Sequence, residues 1–453
     1  MMAGSRPTVA VVYDEGAVSP SELRVGLADV GEAVFVVADS PHIATMRPVL
    51  EQLGAVVALD SRPERDGELI RSLAPDAILT FSEPMIRTTA ELAAAAGLRF
   101  HDVSTARVLT DKVLQRQALR AAGVEELRTW PLRSPADWPD ALAKVGLPAV
   151  LKPVRGAGSQ NTHLLTEQRQ GAALVAEIFA ALPRSEQAEP RLVLEEYLEG
   201  RPSQPLGDFV AVESLCTPEG VSHVAISGKF PLLRPFRESG QFWPTQLPEM
   251  EQAAVLDLVS RALAALRVRH GFTHTEIKLT PSGPRIIEVN GRLGGYVNEL
   301  SRKACGVDLV RVAALHALGD EVEVPYLRPD QVHFQHNSNA PTDPCRLLAV
   351  HGAPELRQLD GVSGYRTFIR VGDQLPGGVM TRELDVIWGS CEDHDSMVDL
   401  VRRGLSILSY EFEFAQGVRT LSGTECGAWS DPQGIRSTRH PIHKHPIHKA
   451  GAS

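Results

Sequence analysis

Cysteines are scarce in this sequence and form no recognisable motif. Five occur in 453 residues, an odd number, and no two of them form a CxxC pair. Neither a disulfide framework nor a thiolate zinc site is therefore indicated. The sequence also has no charged leader followed by an apolar segment and no run of about 18 apolar residues. These absences predict a cytoplasmic protein without a membrane partner.

Positive charge is not in excess either. Lys and Arg number 46 against 56 Asp and Glu, which gives a net charge of −10, so nucleic acid is not an expected partner. A phosphate-handling site in this chain would need a local cluster of positive charge. The hydrophobic content of 43% is ordinary for a globular protein, and the length predicts about two to four lobes.

Two glycine-rich phosphate motifs are missing as well. No GxGxxG follows the first predicted strand, and no GK[ST] of a Walker loop occurs, which argues against a Rossmann dinucleotide site and against a P-loop. Residues 8–103 nevertheless alternate short apolar runs with helical stretches. That rhythm predicts an N-terminal α/β domain over residues 1–103, with a parallel sheet and helices on both of its faces.

A hairpin over residues 273–295 is the most informative stretch. Two runs of strand formers flank a Pro-Ser-Gly turn. With the turn centred on Ser282, Glu276 lies directly opposite Glu288. The polar side chains that share their face are Lys278, Asn290 and Arg292. The side chains expected to face a core are Ile277, Leu279, Ile287 and Val289, and only Ile286 breaks the alternation.

Two opposed carboxylates repel each other unless a cation lies between them. Glu276, Glu288 and the amide oxygen of Asn290 form a set suited to Mg²⁺, which is typically held by one or two carboxylates and the phosphates of a nucleotide. The alternative is a solvated surface hairpin whose glutamates pair with Lys278 and Arg285. The hairpin alone favours neither interpretation.

Two lysines precede candidate anion-binding elements. Lys112 lies early in a helix predicted over residues 104–123, with Ser104 as its N-cap. Lys152 lies in a predicted strand that leads into the loop RGAGSQNT at 155–162. Small residues let backbone amides approach an anion closely. The alternatives are a solvated helix lysine and a flexible hairpin tip.

The remaining chain alternates helices, strands and irregular segments. Predicted helices cover 167–182, 248–269, 298–317 and 396–408, and predicted strands cover 192–198 and 409–414. A further hairpin turns at 217–220, and 238–248 reads as irregular. The polar end from about Gly423, with HPIHK at 440–444 and again at 445–449, is expected to be disordered.

The order of these pieces resembles the ATP-grasp superfamily of carboxylate-amine ligases and carboxylases. The resemblance covers residues 8–415 and rests on Lys112, LKPVRGAGSQNT, LEEYLEG, and TEIKL followed by IIEVNGRLGG. It implies an α/β and α+β fold in which two ATP-grasp lobes hold the nucleotide between them. The implied parts after the N-terminal domain are a linking helix (104–127), a small lobe (128–200), a large lobe with a C-terminal subdomain (201–420) and a tail (421–453).

The resemblance also implies the cofactors ATP and Mg²⁺, with Mn²⁺ as a substitute. The metal ligands it implies are Glu276, Glu288 and Asn290. The implied nucleotide contacts are Lys112, Lys152, the loop residues Gly156, Gly158 and Ser159, the hinge residues Glu195, Glu196, Tyr197 and Leu198, and Lys278. Arg292 would be the catalytic residue that faces the reacting carboxyl group.

Within the superfamily, residues 226–248 look most like the ligases that join two unprotected L-amino acids. Those enzymes commonly show Glu-[Ser/Thr]-Gly-His followed by Pro, and here Gln241 stands in the histidine position. This difference leaves the amino-acid preference open. The implied substrate contacts are Glu238, Gln241, Arg292, Gly295 and Tyr296.

The expected reaction is therefore amide formation between two amino acids through an acyl phosphate, with release of ADP and phosphate. One alternative is another ATP-grasp reaction, using bicarbonate or a non-amino carboxylic acid. The other is a catalytically silent nucleotide-binding module. A homodimer is compatible with the sequence, which does not identify the acid or the amine.

Overall fold

The N-terminal domain is a parallel α/β unit, as predicted. The computed structural model describes residues 6–181 and 191–427. A four-stranded sheet has the order β3-β2-β1-β4. Its elements are β1 (Thr8–Tyr13), α1 (Pro20–Leu27), β2 (Glu32–Val37), α2 (Pro41–Leu50), β3 (Ala55–Ala58), α3 (Pro63–Leu73), β4 (Ala77–Leu79), the 3₁₀ turn Glu83–Met85 and α4 (Ile86–Ala96).

The alternation of side chains along β1 explains why both faces of this sheet are covered. Val9 and Val11 belong to a core that includes residues of α1. Ala10 and Val12 belong to a second core, formed with residues of α3 and α4. Because successive side chains of a strand point to opposite faces, an entirely apolar strand must be buried on both sides.

Two helices link this domain to the next lobe, where the sequence predicted one. They are α5 (Val103–Leu109) and α6 (Lys112–Ala121). The predicted cap at Ser104 is wrong, because Asp102 precedes α5 and Ser104 lies inside it. A second cap interrupts the predicted helix: the Asp111 carboxylate accepts hydrogen bonds from the backbone N–H groups of Val113 and Leu114. Lys112 is consequently the first residue of α6.

A small lobe follows, built on a four-stranded antiparallel sheet of order β5-β8-β6-β7. Its predicted helix and strands are present, although β8 ends two residues earlier than expected. The elements are β5 (Thr129–Leu132), the 3₁₀ turn Pro135–Asp137, α7 (Trp138–Val145), β6 (Ala149–Pro153), β7 (His163–Leu165), α8 (Gln168–Ala181) and β8 (Leu192–Glu196).

The largest sheet contains eight strands in the order β13-β12-β9-β10-β11-β14-β18-β16. The first strands of this sheet along the chain are β9 (Phe209–Thr217), β10 (Gly220–Lys229), β11 (Gly240–Trp243), β12 (Gly271–Thr280) and β13 (Gly283–Asn290). The helix α9 (Glu249–Ala265) connects β11 to β12. The chain continues through α10 (Val297–Cys305), α11 (Leu309–Leu318), β14 (Val332–Asn339), β15 (Cys345–His351), α12 (Ala353–Leu356), β16 (Val362–Thr367), β17 (Gln374–Leu375), β18 (Glu383–Cys391), α13 (His394–Ile407), β19 (Ser409–Phe414), β20 (Gly417–Ser422) and α14 (Gly423–Cys426). The strands β17-β15-β19-β20 form a separate sheet.

The structure contradicts two predicted elements of this lobe. The segment expected to be irregular contains β11, which is stabilised from both sides: Gln241 is in register with Lys229 of β10 and with Gln335 of β14. The helix predicted over 298–317 is two helices, because Gly306 ends α10 with φ +70° and Asp308 caps α11. None of the helices in the described ranges is both long and apolar enough to cross a bilayer.

The predicted start of the tail is also wrong. Residues from Gly423 onward were expected to be disordered, yet α14 forms there and buries Cys426 to 3% exposure in the core beneath β18 and α13. Ser422 and Glu425 cap its first turn through a reciprocal pair of hydrogen bonds. The HPIHK repeats lie outside the described residues.

Ending the chain after Gly423 should lower the free energy of unfolding by roughly 2 kcal/mol relative to ending it after Gly427. The shorter chain loses the buried Cys426 side chain and the reciprocal cap made by Glu425. Urea denaturation of the two truncated chains measures the difference, because both lack the same residues 428–453. Equal unfolding midpoints and slopes would show that α14 contributes nothing to stability.

Candidate active site

One large cavity lies where the N-terminal domain, the small lobe and the eight-stranded sheet meet. Its volume is about 1760 Å³, which exceeds the usual size of a small-molecule pocket. Glu83 contributes from the N-terminal domain, Lys152 from the small lobe and Glu288 from the large sheet. Every site residue predicted from the sequence lines this cavity.

The hairpin of β12 and β13 places the predicted carboxylates side by side. Glu276 is in register with Glu288, but a β-bulge follows, and Ile277 is in register with Ile286. Ile286 is therefore fully buried in the core, whereas Ile287 lines the cavity. The prediction that Ile287 faces the core is wrong, because the extra residue of a bulge reverses the alternation beyond it.

Lys112 connects the linking helix to this hairpin. Its Nζ lies 2.9 Å from Glu288 Oε1 and donates to the carbonyl oxygen of Gly156, 3.1 Å away. Burial alone would raise the pKa of Glu288, but Lys112 and Lys152 outweigh it and hold that pKa below its ordinary value. Glu288 is consequently ionised, as a metal ligand must be.

Lys152 is held by a buried carboxylate. Its Nζ lies 2.8 Å from Glu195 Oε2, and Arg116 Nε lies 2.8 Å from Glu195 Oε1. Despite burial, the two cations lower the pKa of Glu195 to about 2. The side chain of Glu195 thus positions Lys152. Its backbone lies in a central strand of the small-lobe sheet, in register with Thr129 of β5 and Val150 of β6, and the nucleotide contact expected of Glu195 stays a prediction. Glu196 pairs with Arg128, while Tyr197 and Leu198 line the cavity.

The small-residue loop at 155–162 also lines the cavity. Gly158 and Ser159 have φ of +64° and +56°, the region in which glycine is least strained. The Ser159 hydroxyl donates to Phe236 O at 2.7 Å, and the backbone N–H of Thr381 donates to Gly158 O at 2.9 Å. The loop is therefore attached to the large lobe in this conformation.

A buried pair that the sequence analysis missed supports Glu276. The carboxylate of Glu213 on β9 contacts His274 Nδ1, and His274 Nε2 lies 3.8 Å from Glu276 Oε1. Burial and the neighbouring charge of Glu238 raise the pKa of Glu276. A lone carboxylate in the apolar strand FVAVESLCT was the signal that could have revealed Glu213, because such a residue is rarely buried without a partner.

Arg292 is paired with a second residue that sequence reasoning missed. Its Nε lies 3.1 Å from Glu83 Oε2, and its Nη1 donates to Leu293 O at 2.9 Å. A pairing of Arg292 with Glu276 or Glu299, which the sequence would also allow, is not the one observed. Glu83 is nearly buried, and burial raises its pKa even though Arg292 opposes the shift. The guanidinium lines the cavity between the two domains.

The other predicted contacts are distributed along the same cavity. Lys278 Nζ lies 2.7 Å from Asp208 Oδ1, so the charge of this lysine is already neutralised by the residue that precedes β9. Glu238 lies 3.0 Å from Lys229 Nζ, and this cation lowers the pKa of Glu238 despite burial. Gln241 Nε2 donates to Gly295 O at 2.9 Å.

The donor set fits a hard divalent cation that is completed by phosphate oxygens. The side chains of Glu276 and Glu288 are 23% and 17% exposed, Asn290 lines the same cavity, and all three offer oxygen. In residues 6–181 and 191–427, His, Cys, Asp and Glu side chains by themselves form no group of three or more that could hold a metal ion. Two carboxylates and one amide are a set that needs further ligands from a substrate.

The segment that carries the hairpin matches a known domain family. Residues 145–299 match the family described as the ATP-grasp domain, and the chain therefore contains an ATP-grasp domain. The structure of an L-amino acid ligase from Bacillus licheniformis has the same fold: its TM-score is 0.71 at 20% identity, and the match covers 90% of this chain and 98% of that one.

The relatives with similar sequences include ligases and a synthase. Alanine–anticapsin ligase of Bacillus subtilis is 25% identical over 343 residues, which cover 72% of this chain and 70% of that protein. Carnosine synthase 1 of Gallus gallus is 30% identical over 279 residues, which cover 57% of this chain but 29% of that protein. The chain is therefore similar over most of its length to the first relative and to only part of the second.

Proposed function

We propose that the protein is an ATP-dependent, ADP-forming carboxylate-amine ligase that joins two L-amino acids or amino-acid-like substrates. The observation that carries the proposal is the meeting of three groups in one cavity. Glu276, Glu288 and Asn290 provide oxygen ligands, Lys112 and Lys152 provide positive charge, and Arg292 lies on the same hairpin beyond them. The names of the curated relatives favour amino-acid substrates over other acids.

The chemistry follows from this arrangement. The carboxylate of one amino acid attacks the γ-phosphate of ATP, giving an acyl phosphate and ADP, and the amine of the second displaces phosphate to form the amide. Lys112 and Lys152 would bind phosphate oxygens, and the loop at 155–162 would exclude water from them. Magnesium, when bound, would neutralise charge on the phosphates. Phosphoryl transfer of this kind needs positioning and charge, not a covalent enzyme intermediate.

A screen of amino-acid pairs tests the proposal. Purified protein is incubated with ATP, Mg²⁺ and each pair, and phosphate, ADP and the mass of the product are measured. Release of phosphate that depends on both amino acids, together with a dipeptide mass, supports the proposal. Release driven by bicarbonate or by a single non-amino acid would instead identify a different ATP-grasp reaction, and no release with any substrate would identify a silent module.

Replacing Gln241 by His should change amino-acid preference more than ATP affinity. Gln241 supports the backbone of Gly295 next to the hairpin, away from Lys112 and Lys152. We expect the ratio of kcat/KM between two amino-acid pairs to change by about 5-fold or more, with KM for ATP nearly constant. Gln252→His is the matched control, because Gln252 lies on α9 outside the cavity. An equal change for every pair, or an effect confined to ATP, would contradict this placement.

A further inference from the structure

One wall of the cavity presents hydrogen-bond acceptors that have no partner. Gln241 and Gln335 are in register on β11 and β14, and Asn337 lies two residues further along β14, on the same face as Gln335. The three residues are 1–3% exposed and line the cavity. Together with Glu383 they are here called the acceptor wall.

The amide oxygens of this wall are the unusual feature. In the described parts of the chain, Gln241 Oε1, Gln335 Oε1 and Asn337 Oδ1 are buried and accept no hydrogen bond. The orientation of two of the amides is fixed by their nitrogens, since Gln241 Nε2 donates to Gly295 O and Asn337 Nδ2 donates to Glu383 Oε1. Buried polar atoms are nearly always paired, so three such oxygens in one wall indicate a ligand rich in N–H donors.

Glu383 adds a buried carboxyl group to the wall. Its carboxylate accepts from the hydroxyl of Tyr296 and, at 2.8 Å, from Asn337 Nδ2. Both donors are neutral. Among the described residues the nearby cation that acts on Glu383 is Arg366, which opposes the rise of its pKa without forming an ion pair with it. Burial raises the pKa of Glu383 to about 7. A buried carboxylate without a cationic partner is costly, and a cationic ligand would remove that cost.

The neighbouring cations already have other contacts. Arg366 lies over the rings of Phe368 and Trp388, 4.8 and 5.2 Å from their centroids. Arg382 Nη2 contacts Met380 Sδ at 3.4 Å, although its Nε is buried without a partner. Among the described residues, neither guanidinium donates a hydrogen bond to the three amide oxygens of the wall, which remain without a partner. Apolar side chains beside it, including Phe368, Ile369 and Met380, line the same cavity and suit an alkyl stem.

We infer that the acceptor wall binds the protonated side chain of a basic amino-acid substrate, of the lysine or arginine type. A guanidinium carries five N–H donors and an ammonium carries three, which matches three amide oxygens and a carboxylate. Aromatic rings next to acceptors are a common setting for such side chains. The inference rests on the proposed function, because it names the class of one of the two amino acids that would be joined.

Direct binding tests the wall without catalysis. Calorimetric titration of the full chain in the absence of ATP compares arginine, citrulline, alanine and 5-guanidinopentanoate, which has the side chain and carboxylate of arginine but no α-amine. We expect arginine and 5-guanidinopentanoate to bind at least about 10-fold more tightly than citrulline. Equal affinities for arginine and citrulline would overturn the inference. So would binding of alanine but not 5-guanidinopentanoate, since the α-ammonium would then be the group recognised.

Variants of the wall extend the test. Glu383→Gln should reduce the ratio of arginine to citrulline affinity by about 10-fold, whereas Glu355→Gln, the same change at an exposed position of α12, should leave the ratio intact. Gln335→Met removes one acceptor while keeping a side chain of similar length, and it should also reduce the ratio of arginine to citrulline affinity. This variant provides the test if Glu383→Gln does not fold. An unchanged ratio in both wall variants would contradict the inference.

Turnover separates this inference from the proposed function. If arginine binds through Glu383 but no amino-acid pair releases phosphate, the proposed function fails and the binding site stands. If neutral pairs release phosphate while arginine and lysine are poorer substrates than citrulline and norleucine, the ligase proposal stands and the wall assignment fails. A preference for glutamate as substrate would likewise overturn it, because Arg366 and Arg382 would then be the recognising groups.

Discussion

Replacing Glu288 by Gln is expected to reduce amino-acid-dependent phosphate release by about 100-fold or more, with the fold preserved. Gln has nearly the same shape as Glu and can still accept a hydrogen bond from Lys112, so the 2.9 Å contact survives in a weaker form. What is lost is the negative charge that a magnesium ligand supplies in this position. The measurement is turnover at ordinary and at raised magnesium, together with the melting temperature.

Glu413→Gln is the matched control for this change. Glu413 is also a strand glutamate in an ion pair, 2.7 Å from Arg346, but it lies on β19 outside the cavity. We expect its turnover to remain within about 2-fold of the parent protein, as is usual for a surface ion pair. Nearly normal turnover of Glu288→Gln at ordinary magnesium would remove the metal-site interpretation of the hairpin.

The hairpin was predictable because its determinants are local. A Pro-Ser-Gly turn and alternating strand residues were sufficient to place Glu276 opposite Glu288, as observed. The bulge at Ile287 was not predictable, since both Ile286 and Ile287 are apolar and only the packed core distinguishes them. The strand β11 was also not predictable from its four residues alone, because it is stabilised by pairing with β10 on one side and with β14 on the other.

The residues that sequence reasoning missed act through long-range contacts. Glu83 lies in a 3₁₀ turn of the N-terminal domain, and nothing near it in the sequence indicates that it meets Arg292, two residues beyond the end of β13. Glu213 and His274 face each other across β9 and β12, a register that no single strand reveals. Motifs thus identified residues that line the cavity, whereas the partners that orient their side chains required the tertiary structure.

The contact with Glu83 changes the interpretation of Arg292. An arginine whose only role was to neutralise a buried carboxylate would stabilise the domain interface and contribute nothing to chemistry. Nε lies 3.1 Å from Glu83 Oε2 without a hydrogen bond to it, and Nη1 donates to Leu293 O, so these two groups engage only a minority of the five N–H donors of a guanidinium. Because the side chain lines the cavity beside Glu238, the remaining donors are placed to hold a substrate carboxylate. We therefore retain the catalytic role as a proposal.

Arg292→Ala should lower turnover by about 10²- to 10³-fold, the usual effect of losing one donor to a developing oxyanion. KM for ATP should change little. Arg292→Lys should not restore turnover, since a point charge does not reproduce the planar fork of a guanidinium.

The Glu83→Gln background separates the catalytic role from a structural one. Removing Arg292 alone leaves the buried Glu83 without its cation, so part of any loss in the free energy of unfolding should disappear when Glu83 is neutral. The loss of turnover should remain in the double variant if Arg292 acts on the substrate. Recovery of turnover in Arg292→Ala/Glu83→Gln, or a defect seen only in ATP binding, would show that Arg292 serves the domain interface and not the reaction.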